Sequence, residues 1–169
     1  MSASTRRAAA APTIVENRSA AAWRVLAGVE DPEIPVLTLT DLGIVRFVKV
    51  GSDGVLEVGL SPTYTGCPAT EVIRHSAERA LEEAGLGPFQ ISSVLSPAWS
   101  SAWITPDGRR KLAEYGIAPP PATHADQPFA CPRCESLDTE RISQFGSTPC
   151  KALHRCRSCL EPFECFKCI

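Results

Sequence analysis

The spacing of the cysteines constrains this chain more than any other feature. Seven of the eight cysteines lie between Cys131 and Cys168. A segment this short cannot bury a core large enough to hold a fold, so it needs either a cross-link or a metal ion. Six of the seven stand in C-x-x-C pairs: Cys131 with Cys134, Cys156 with Cys159, and Cys165 with Cys168.

The first two pairs are separated by 21 residues and predict a zinc ribbon. Two residues between thiolates let both sulfurs face one ion from a tight turn, and a hairpin brings two such turns together. We expect a closed structural site with zinc as the default metal, although sulfur ligands also suit iron. Two disulfides or unliganded thiols are the alternatives. The predicted ligands are Cys131, Cys134, Cys156 and Cys159.

The metal should supply much of the folding energy of so small a module. We therefore expect that loss of one predicted ligand, Cys131, unfolds the ribbon and releases the metal. We expect the preceding domain to be an independent unit that stays folded when the ribbon loses its metal.

Three cysteines remain outside the predicted ligand set: Cys150, Cys165 and Cys168. They are alternate ligands, because spacing alone leaves open which two C-x-x-C pairs share the ion. Cys150 could instead form a disulfide with Cys168. An iron–sulfur cluster on these three thiols would need a fourth ligand, and Cys67 is the one cysteine left. Ordinary reduced thiols are the plain alternative.

The residues before the cysteine-rich segment predict an α+β fold, a small sheet with helices packed on it. Apolar residues alternate in the strands and recur at helical spacing in the helices, with a Gly-Ser-Asp-Gly hairpin signal at 51–54. The predicted helices are 14–26, 68–83 and 106–115, and the predicted strands are 43–50, 55–60 and 89–95.

Composition sets the predicted domain boundaries. The first residues are rich in Ala, Ser, Thr and Arg, and a run of prolines separates the α+β domain from the cysteine-rich module. We predict a disordered N-terminus at 1–13, an α+β domain at 14–117, a Pro-rich linker at 118–129 and a zinc-ribbon-like module at 130–169.

Several function classes are disfavoured. The net charge is −2, from 17 Lys and Arg against 19 Asp and Glu, which argues against nucleic acid or a membrane surface as the partner. No apolar run approaches the roughly 18 residues of a membrane span, and the N-terminus does not match a secretory signal, so we expect a cytoplasmic protein. The sequence has no phosphate loop, nucleotide fingerprint or hydrolase elbow, so we do not expect it to be catalytic alone.

Cys67 is the one cysteine of the predicted α+β domain. It lies where a loop meets a predicted helix whose first residue is Pro68. The free N–H groups and the positive end of a helix favour a thiolate, so we expect an exposed thiol that is reactive or binds a metal transiently. A small buried residue is the alternative. Asp31, Glu33 and Asp41 form an acidic group on loops, with capping and turn formation as the alternative role.

Three segments of this domain resemble a known family. They are 31–35 (Asp-Pro-Glu-Ile-Pro), 40–45 (Thr-Asp-Leu-Gly-Ile-Val) and 63–68 (Thr-Tyr-Thr-Gly-Cys-Pro). They resemble the small domain of iron–sulfur assembly factors related to SufT and to the eukaryotic cytosolic iron–sulfur targeting subunit. The resemblance implies that Cys67 is the thiol of the assembly-factor domain and that Asp31, Glu33 and Asp41 are its acidic neighbours.

The C-terminal module is similar to that of the PaaD (also called PaaJ) family of the bacterial phenylacetyl-CoA epoxidase system. The similarity rests on 145–153 (Phe-Gly-Ser-Thr-Pro-Cys-Lys-Ala-Leu), 156–163 (Cys-Arg-Ser-Cys-Leu-Glu-Pro-Phe) and 166–168 (Phe-Lys-Cys). With the first domain, it covers residues 15–169. Cys150 and Cys168 match cysteines of the family pattern, whereas Cys165 stands where the pattern has an aromatic residue or His.

The resemblance implies a role in aerobic phenylacetate catabolism. The implied partners are the other subunits of the epoxidase system, especially the flavin reductase with its [2Fe–2S] cluster. The chain has no paired Glu-x-x-His motif of a di-iron oxygenase, so an accessory role in assembling or inserting that cluster is implied, with a transient iron or iron–sulfur cargo. A structural or electron-transfer component of the complex is the alternative. The oligomeric state is left open, with a homo-oligomer as one option.

Overall fold

The computed structural model of the chain describes residues 14–64, 66–121 and 127–168. The predicted disordered N-terminus at 1–13 and residues 122–126 of the predicted linker lie outside these described residues. The predicted α+β architecture is confirmed, with two sheets and three α-helices in the described ranges.

The first sheet contains strands β1 (Val45–Val50), β2 (Leu56–Leu60) and β3 (Phe89–Ser93), in that order. β1 and β2 form the predicted antiparallel hairpin, whereas β2 and β3 are parallel. A parallel pair needs a long crossover connection, and helix α2 (Thr70–Glu83) supplies it. α2 begins two residues later than predicted, because Pro68 and Ala69 form a turn.

Two further helices complete the first domain. Helix α1 (Ile14–Leu26) packs on β1 and α2. Arg18 of α1 donates hydrogen bonds to the carbonyl oxygens of Gly54, at 2.6 Å, and Leu86, at 2.8 Å, which attaches the helix to two loops of the sheet. Helix α3 (Pro106–Glu114) starts after Thr105, whose hydroxyl accepts from the Gly108 N–H at 3.0 Å.

The second sheet belongs to the cysteine-rich module and has the order β4-β7-β6-β5. Its strands are β4 (Ile117–Ala118), β5 (Thr139–Ser143), β6 (Lys151–Cys156) and β7 (Pro162–Phe166). β5, β6 and β7 form an antiparallel meander, and β4 pairs with β7 in parallel. The chain therefore enters this sheet at 117–118, where the sequence predicted the junction between the first domain and the linker.

The two modules share a core. Cys150 and Phe166 of the second module are buried among the apolar residues of the first domain. The Phe166 ring lies 5.9 Å from that of Trp99, whose indole N–H donates to the Leu42 carbonyl at 2.9 Å. Unfolding the ribbon would expose this apolar surface to water. The shared core therefore argues against the independent folding that we expected from the sequence.

Asp41 attaches helix α3 to the loop before β1. Its carboxylate accepts from the Thr38 N–H at 3.0 Å and from the Lys111 ammonium at 2.8 Å. Burial by itself would raise the pKa of Asp41, but the hydrogen bonds from Lys111 and Thr38 lower the pKa below its ordinary value of 3.8. The side chain is therefore a structural connector between two elements of the first domain.

Asp41→Asn is expected to lower the free energy of unfolding by about 2 kcal/mol near neutral pH, because the ammonium of Lys111 loses its buried partner. The folded-state pKa of Asp41 is lowered, so its stabilising contribution is present above the ordinary Asp pKa and is lost as the pH falls through the folded value. The difference between variant and wild type should therefore shrink in acid. Urea unfolding followed by circular dichroism at neutral and acidic pH measures this difference in the free energy of unfolding.

Asp107→Asn is the control, because Asp107 is the exposed partner of the same lysine, and it should change stability little. A loss that does not depend on pH would contradict the assignment.

Phe166→Ala is expected to lower the free energy of unfolding by about 3–5 kcal/mol, because it leaves a cavity in the shared core. Wild type should unfold in one cooperative transition that both modules share. Differential scanning calorimetry measures both quantities, and Phe145→Ala, at a ring that is 61% exposed in the same module, is the control. Two well-separated wild-type transitions would show that the modules fold independently.

Candidate functional site

Four cysteine sulfurs form a compact group in the second module. The Sγ atoms of Cys131, Cys134, Cys156 and Cys159 all lie within 4.8 Å of one another. The Cys131–Cys159 distance is 3.7 Å and the Cys134–Cys156 distance is 3.6 Å. Tetrahedral zinc with bonds of about 2.3 Å places its sulfurs about 3.8 Å apart. The donor set and its spacing therefore fit a tetrahedral metal ion.

The two C-x-x-C turns have the same backbone geometry. The Cys131 N–H donates to the Ser136 carbonyl at 2.9 Å, and the Cys156 N–H donates to the Glu161 carbonyl at 2.9 Å, each five residues on. The residue after the second cysteine of each turn adopts a left-handed conformation. These residues are Glu135, with φ of 61°, and Leu160, with φ of 65°. Such a conformation costs on the order of 1 kcal/mol for a residue with a side chain, so the sulfur geometry is formed against local backbone preference.

Backbone N–H groups also point at the sulfurs. The Cys159 N–H lies 3.5 Å from the Cys156 Sγ. This N–H and that of Ser158 lower the pKa of Cys156 to about 6, although burial opposes the shift. The turn thus favours the thiolate, which is the form that binds a metal.

The alternate ligands lie elsewhere. Among the described residues, the four-cysteine group is the one set of three or more His, Cys, Asp and Glu side chains that meets closely enough to share an ion. Cys165 is buried in the interior of the ribbon, and burial raises its pKa to about 12. Cys168 is half-buried, and no disulfide joins it to Cys150. The His154 ring packs between Phe129 and Phe163 and is not part of the group.

Cys67 is buried, so the expectation of an exposed thiol was wrong. Only 9% of its surface is exposed. The physical reason is that Cys67 lies in the turn before α2, where its side chain packs in the hydrophobic core of the first domain. Its N–H donates to the Tyr64 carbonyl at 3.3 Å, and its own carbonyl accepts from Thr70 at 3.2 Å. Gly66, with φ of +84°, makes the reversal that this turn requires.

The Cys67 side chain borders a small cavity between the two modules. The cavity lies where β2 and β3 end and has a free volume of about 30 Å³. That is room for about two water molecules. Apolar side chains form most of its wall, and its polar lining includes Asp31, Glu33, Arg74 and Cys150.

Cys150 enters this cavity from the second module. It is 4% exposed, and its sulfur lies 3.0 Å from the Thr148 hydroxyl and 3.9 Å from a carboxylate oxygen of Glu33. Burial raises the pKa of the Cys150 thiol to about 11. The sequence predicted this residue only as an alternate ligand of the ribbon, because nothing in its spacing indicates that it contacts the first domain.

Two of the three predicted acidic neighbours lie at the cavity. One carboxylate oxygen of Asp31 accepts from the Glu33 N–H at 2.9 Å and from the Ile34 N–H at 2.8 Å, so Asp31 also forms the turn that presents Glu33. Burial raises the pKa of both Asp31 and Glu33, and for Glu33 the neighbouring Asp31 adds to the shift. Asp41 is not part of the cavity lining, because its carboxylate is paired with Lys111.

Tyr64 adds a polar group that was not among the predicted site residues, although it lies in the family segment 63–68. Its hydroxyl is buried and lacks a hydrogen-bond partner among the described residues. Burial raises the pKa of Tyr64 to about 12, with Cys67 as the next cause and smaller contributions from Glu33 and Cys150. The Tyr64 side chain is thus close to Cys67, although it does not line this cavity. The sequence feature that could have identified Tyr64 is its position three residues before Cys67, within the segment 63–68.

No helix in the described ranges combines the length and the apolar character that crossing a bilayer requires.

Comparisons with known proteins match both modules. A family model described as "Iron-sulfur cluster assembly protein" matches residues 19–92, and one described as "PaaD zinc beta ribbon domain" matches residues 118–167. The first range contains Cys67 with Asp31 and Glu33. The second contains the four clustered cysteines together with Cys150.

Individual proteins agree with these matches. A protein of Escherichia coli (strain K12) that is provisionally named as one of the subunits of 1,2-phenylacetyl-CoA epoxidase is 52% identical over 151 residues, which cover 87% of this chain and 91% of that protein. A protein of Porphyromonas gingivalis (strain ATCC BAA-308 / W83) named Fe-S protein maturation auxiliary factor is 32% identical over 90 residues, 53% of this chain and 85% of that protein.

A solved structure shows the fold of the first domain. It is titled as a domain of unknown function, DUF59, from Bacillus anthracis, and it superposes with a TM-score of 0.54 at 21% identity, over 58% of this chain and 93% of that one. The similarity across both modules is thus carried by the Escherichia coli relative and the two family models. On that basis, the chain belongs to the PaaD family of phenylacetyl-CoA epoxidase proteins, with an iron–sulfur assembly domain followed by a zinc ribbon.

Proposed function

We propose that this chain is an accessory component of a phenylacetyl-CoA epoxidase system, and that it assists the assembly or insertion of the iron–sulfur cluster of the partner reductase. The observation that carries the proposal is the cavity at the end of β2 and β3, which Cys67, Asp31 and Glu33 all line. The names of the two curated relatives support the client system and the maturation role. The proposed setting is the cytoplasm and aerobic phenylacetate catabolism.

Cys67 is the proposed working thiol. It acts as a transient ligand for iron, and Asp31 and Glu33 bring two carboxylates to the same cavity. Because the thiol is 9% exposed, cargo must reach it through an opening of the cavity rather than from an exposed surface. No histidine is among the residues that line the cavity, so a Cys–His catalytic pair is not proposed.

The four-cysteine centre is the proposed zinc site. Zinc held by four protein sulfurs is a closed structural site, because no coordination position is left for a substrate. The metal would join the two C-x-x-C turns and so stabilise the sheet of β5, β6 and β7 that packs against the first domain. Iron in the same sulfur cage is the alternative.

A second candidate function is a structural or electron-transfer component of the oxygenase complex. The name of the Escherichia coli relative, as part of an epoxidase, favours it. Electron transfer requires a redox-active metal, so it needs iron in the ribbon. Elemental analysis and visible absorption of protein purified without oxygen test the electron-transfer role, because a colourless zinc protein has no redox-active metal in the ribbon.

Cys67→Ser is expected to keep the fold and to lower the cluster content of the partner reductase, because a hydroxyl binds iron far less readily than a thiolate does. The reductase is coexpressed with wild type or variant, and its iron content and visible absorption are measured after purification. Cys168→Ser, at a half-buried thiol that does not line the cavity, is the matched control. Full cluster occupancy with Cys67→Ser would overturn the proposed role of this thiol.

Cys131→Ser is expected to remove the bound zinc, from about one per chain to none, because a tetrahedral structural site needs all four sulfurs. Because Cys150 and Phe166 lie in the shared core, the first domain should lose stability as well. Metal content is measured by mass spectrometry and stability by thermal unfolding. Cys165→Ser, at a ribbon thiol outside the four-sulfur group, is the control for metal content. Wild-type protein without bound metal would refute the site.

A further inference from the structure

We propose that strand β3 is the interface of a symmetric dimer, in which it pairs antiparallel with β3 of a second copy of this chain. The first sheets of the two copies would then form one continuous sheet. The inference goes beyond the proposed function and does not depend on it, because it rests on the backbone of β3 and not on any thiol.

Hydrogen bonds to β2 use only half of the backbone groups of β3. The Leu56 N–H donates to the Pro88 carbonyl at 3.0 Å, and the Val94 N–H donates to the Leu60 carbonyl at 2.7 Å. In a parallel pair, every second residue of a strand directs its N–H and C=O groups at the neighbour. With the register of β2 and β3, these two bonds assign the even-numbered residues of β3 to β2.

The remaining backbone groups of β3 form an open edge. They are the N–H and C=O groups of Phe89, Ile91 and Ser93, which face away from β2. β3 is the last strand of its sheet, and in the described part of the chain these groups have no hydrogen-bond partner. The open edge can therefore accept a further strand.

The other sheet edges have features that prevent strand addition. β1 carries Arg46 and Lys49 and has a shift in its register, and β5 carries Glu140 and Arg141 with a similar shift. β4 is only two residues long. Proteins use charged residues, bulges and short strands to keep edges from pairing with other molecules.

β3 has none of these protective features. Its sequence, Phe-Gln-Ile-Ser-Ser, contains no charged residue and no proline, and its register with β2 is regular over all five residues. Gln90, Ser92 and Ser93 are exposed. An unprotected edge of this length is suited to pairing with a strand of another molecule.

The open edge is complementary to itself, which favours a second copy as the occupant. When two copies of β3 pair antiparallel around Ile91, Phe89 of each copy lies opposite Ser93 of the other. All the outward residues then exchange hydrogen bonds in pairs, about six bonds in total, and no charged side chains meet. Because both copies use the same residues, the contact closes as a two-fold dimer.

The residues that flank β3 add an apolar contact in the same register. Leu95 follows the strand, and its side chain is 66% exposed. It would lie near Gly87 and Pro88 of the second copy, which are exposed residues just before β3. The same contact occurs twice in a symmetric dimer, and burial of this apolar surface favours association. An arbitrary extended peptide would not supply this contact.

The interface is small, and it lies next to the proposed working site. A five-residue edge buries less area than the about 1,600 Å² of a standard interface, so we expect a dimer that exchanges with the monomer at micromolar or higher concentrations. Ile91, Ser92 and Ser93 also line the cavity that Cys67 borders. The second copy would therefore lie beside that cavity.

Hydrogen exchange followed by NMR, on the dilute and the concentrated full chain, tests which surface is used. A reductant is present so that no disulfide dimer forms. The amides of Phe89, Ile91 and Ser93 should exchange at least about tenfold more slowly in the concentrated protein. The amides of Gln90 and Ser92 are bonded to β2 and should exchange slowly at both concentrations.

Sedimentation equilibrium of wild type and variants measures the dissociation constant. Gln90→Lys places an ammonium group at the edge, close to the same group of the second copy, and should raise the dissociation constant by about tenfold or more. Gln144→Lys, the same substitution at an exposed residue of the ribbon, is the control and should behave as wild type.

Three results overturn the proposal. The first is a wild-type chain that stays monomeric up to about 1 mM. The second is a dimer in which the amides of Phe89, Ile91 and Ser93 exchange as fast as in the monomer. The third is a dissociation constant that Gln90→Lys leaves unchanged. In the last two cases the copies would meet at a different surface.

Discussion

The packing of Phe166 and Cys150 into the core of the first domain is the interaction on which the arrangement of the molecule depends. Burial of apolar surface is the main favourable term in folding, and here one core serves two modules. Without this contact, a ribbon of roughly 30–40 residues would lose apolar surface that it now buries against the assembly domain. With it, the position of the four-sulfur centre relative to Cys67 is set by close-packed side chains.

The two groups of thiols differ in how they can act. The four ribbon sulfurs lie at the separations that one tetrahedral ion requires, which suits a permanent structural metal. Cys67 and Cys150 border a cavity that still has free volume and uncompensated carboxylates, which suits a ligand that comes and goes. The structural metal centre is thus separate from the cavity that contains the proposed reactive thiol. This separation is the physical basis of the proposed accessory role.

Local patterns explain which features could be predicted. The alternation of residues 55–60 and the Gly-Ser-Asp-Gly turn led to the β1–β2 hairpin, and the apolar stripe of α2 led to the crossover helix. The surroundings of Cys67 and Asp41 depend on residues that are far away in the chain. Cys67 borders a cavity that Cys150 and Phe166 of the second module also line, and the role of Asp41 depends on Lys111, which lies 70 residues on. Neither appears in a local pattern.

The sequence by itself determined the fold class and the two modules, and it favoured the four ribbon sulfurs that the structure brings together, because hydrophobic period and C-x-x-C spacing act over short stretches of chain. Only the tertiary structure decided that Cys150 borders the same cavity as Cys67, that Asp31 and Glu33 line it, and that Asp41 does not. The physical reason is that these contacts follow from how two sheets pack against one shared core. Such packing depends on the shapes of distant side chains together and not on the spacing of residues along the chain.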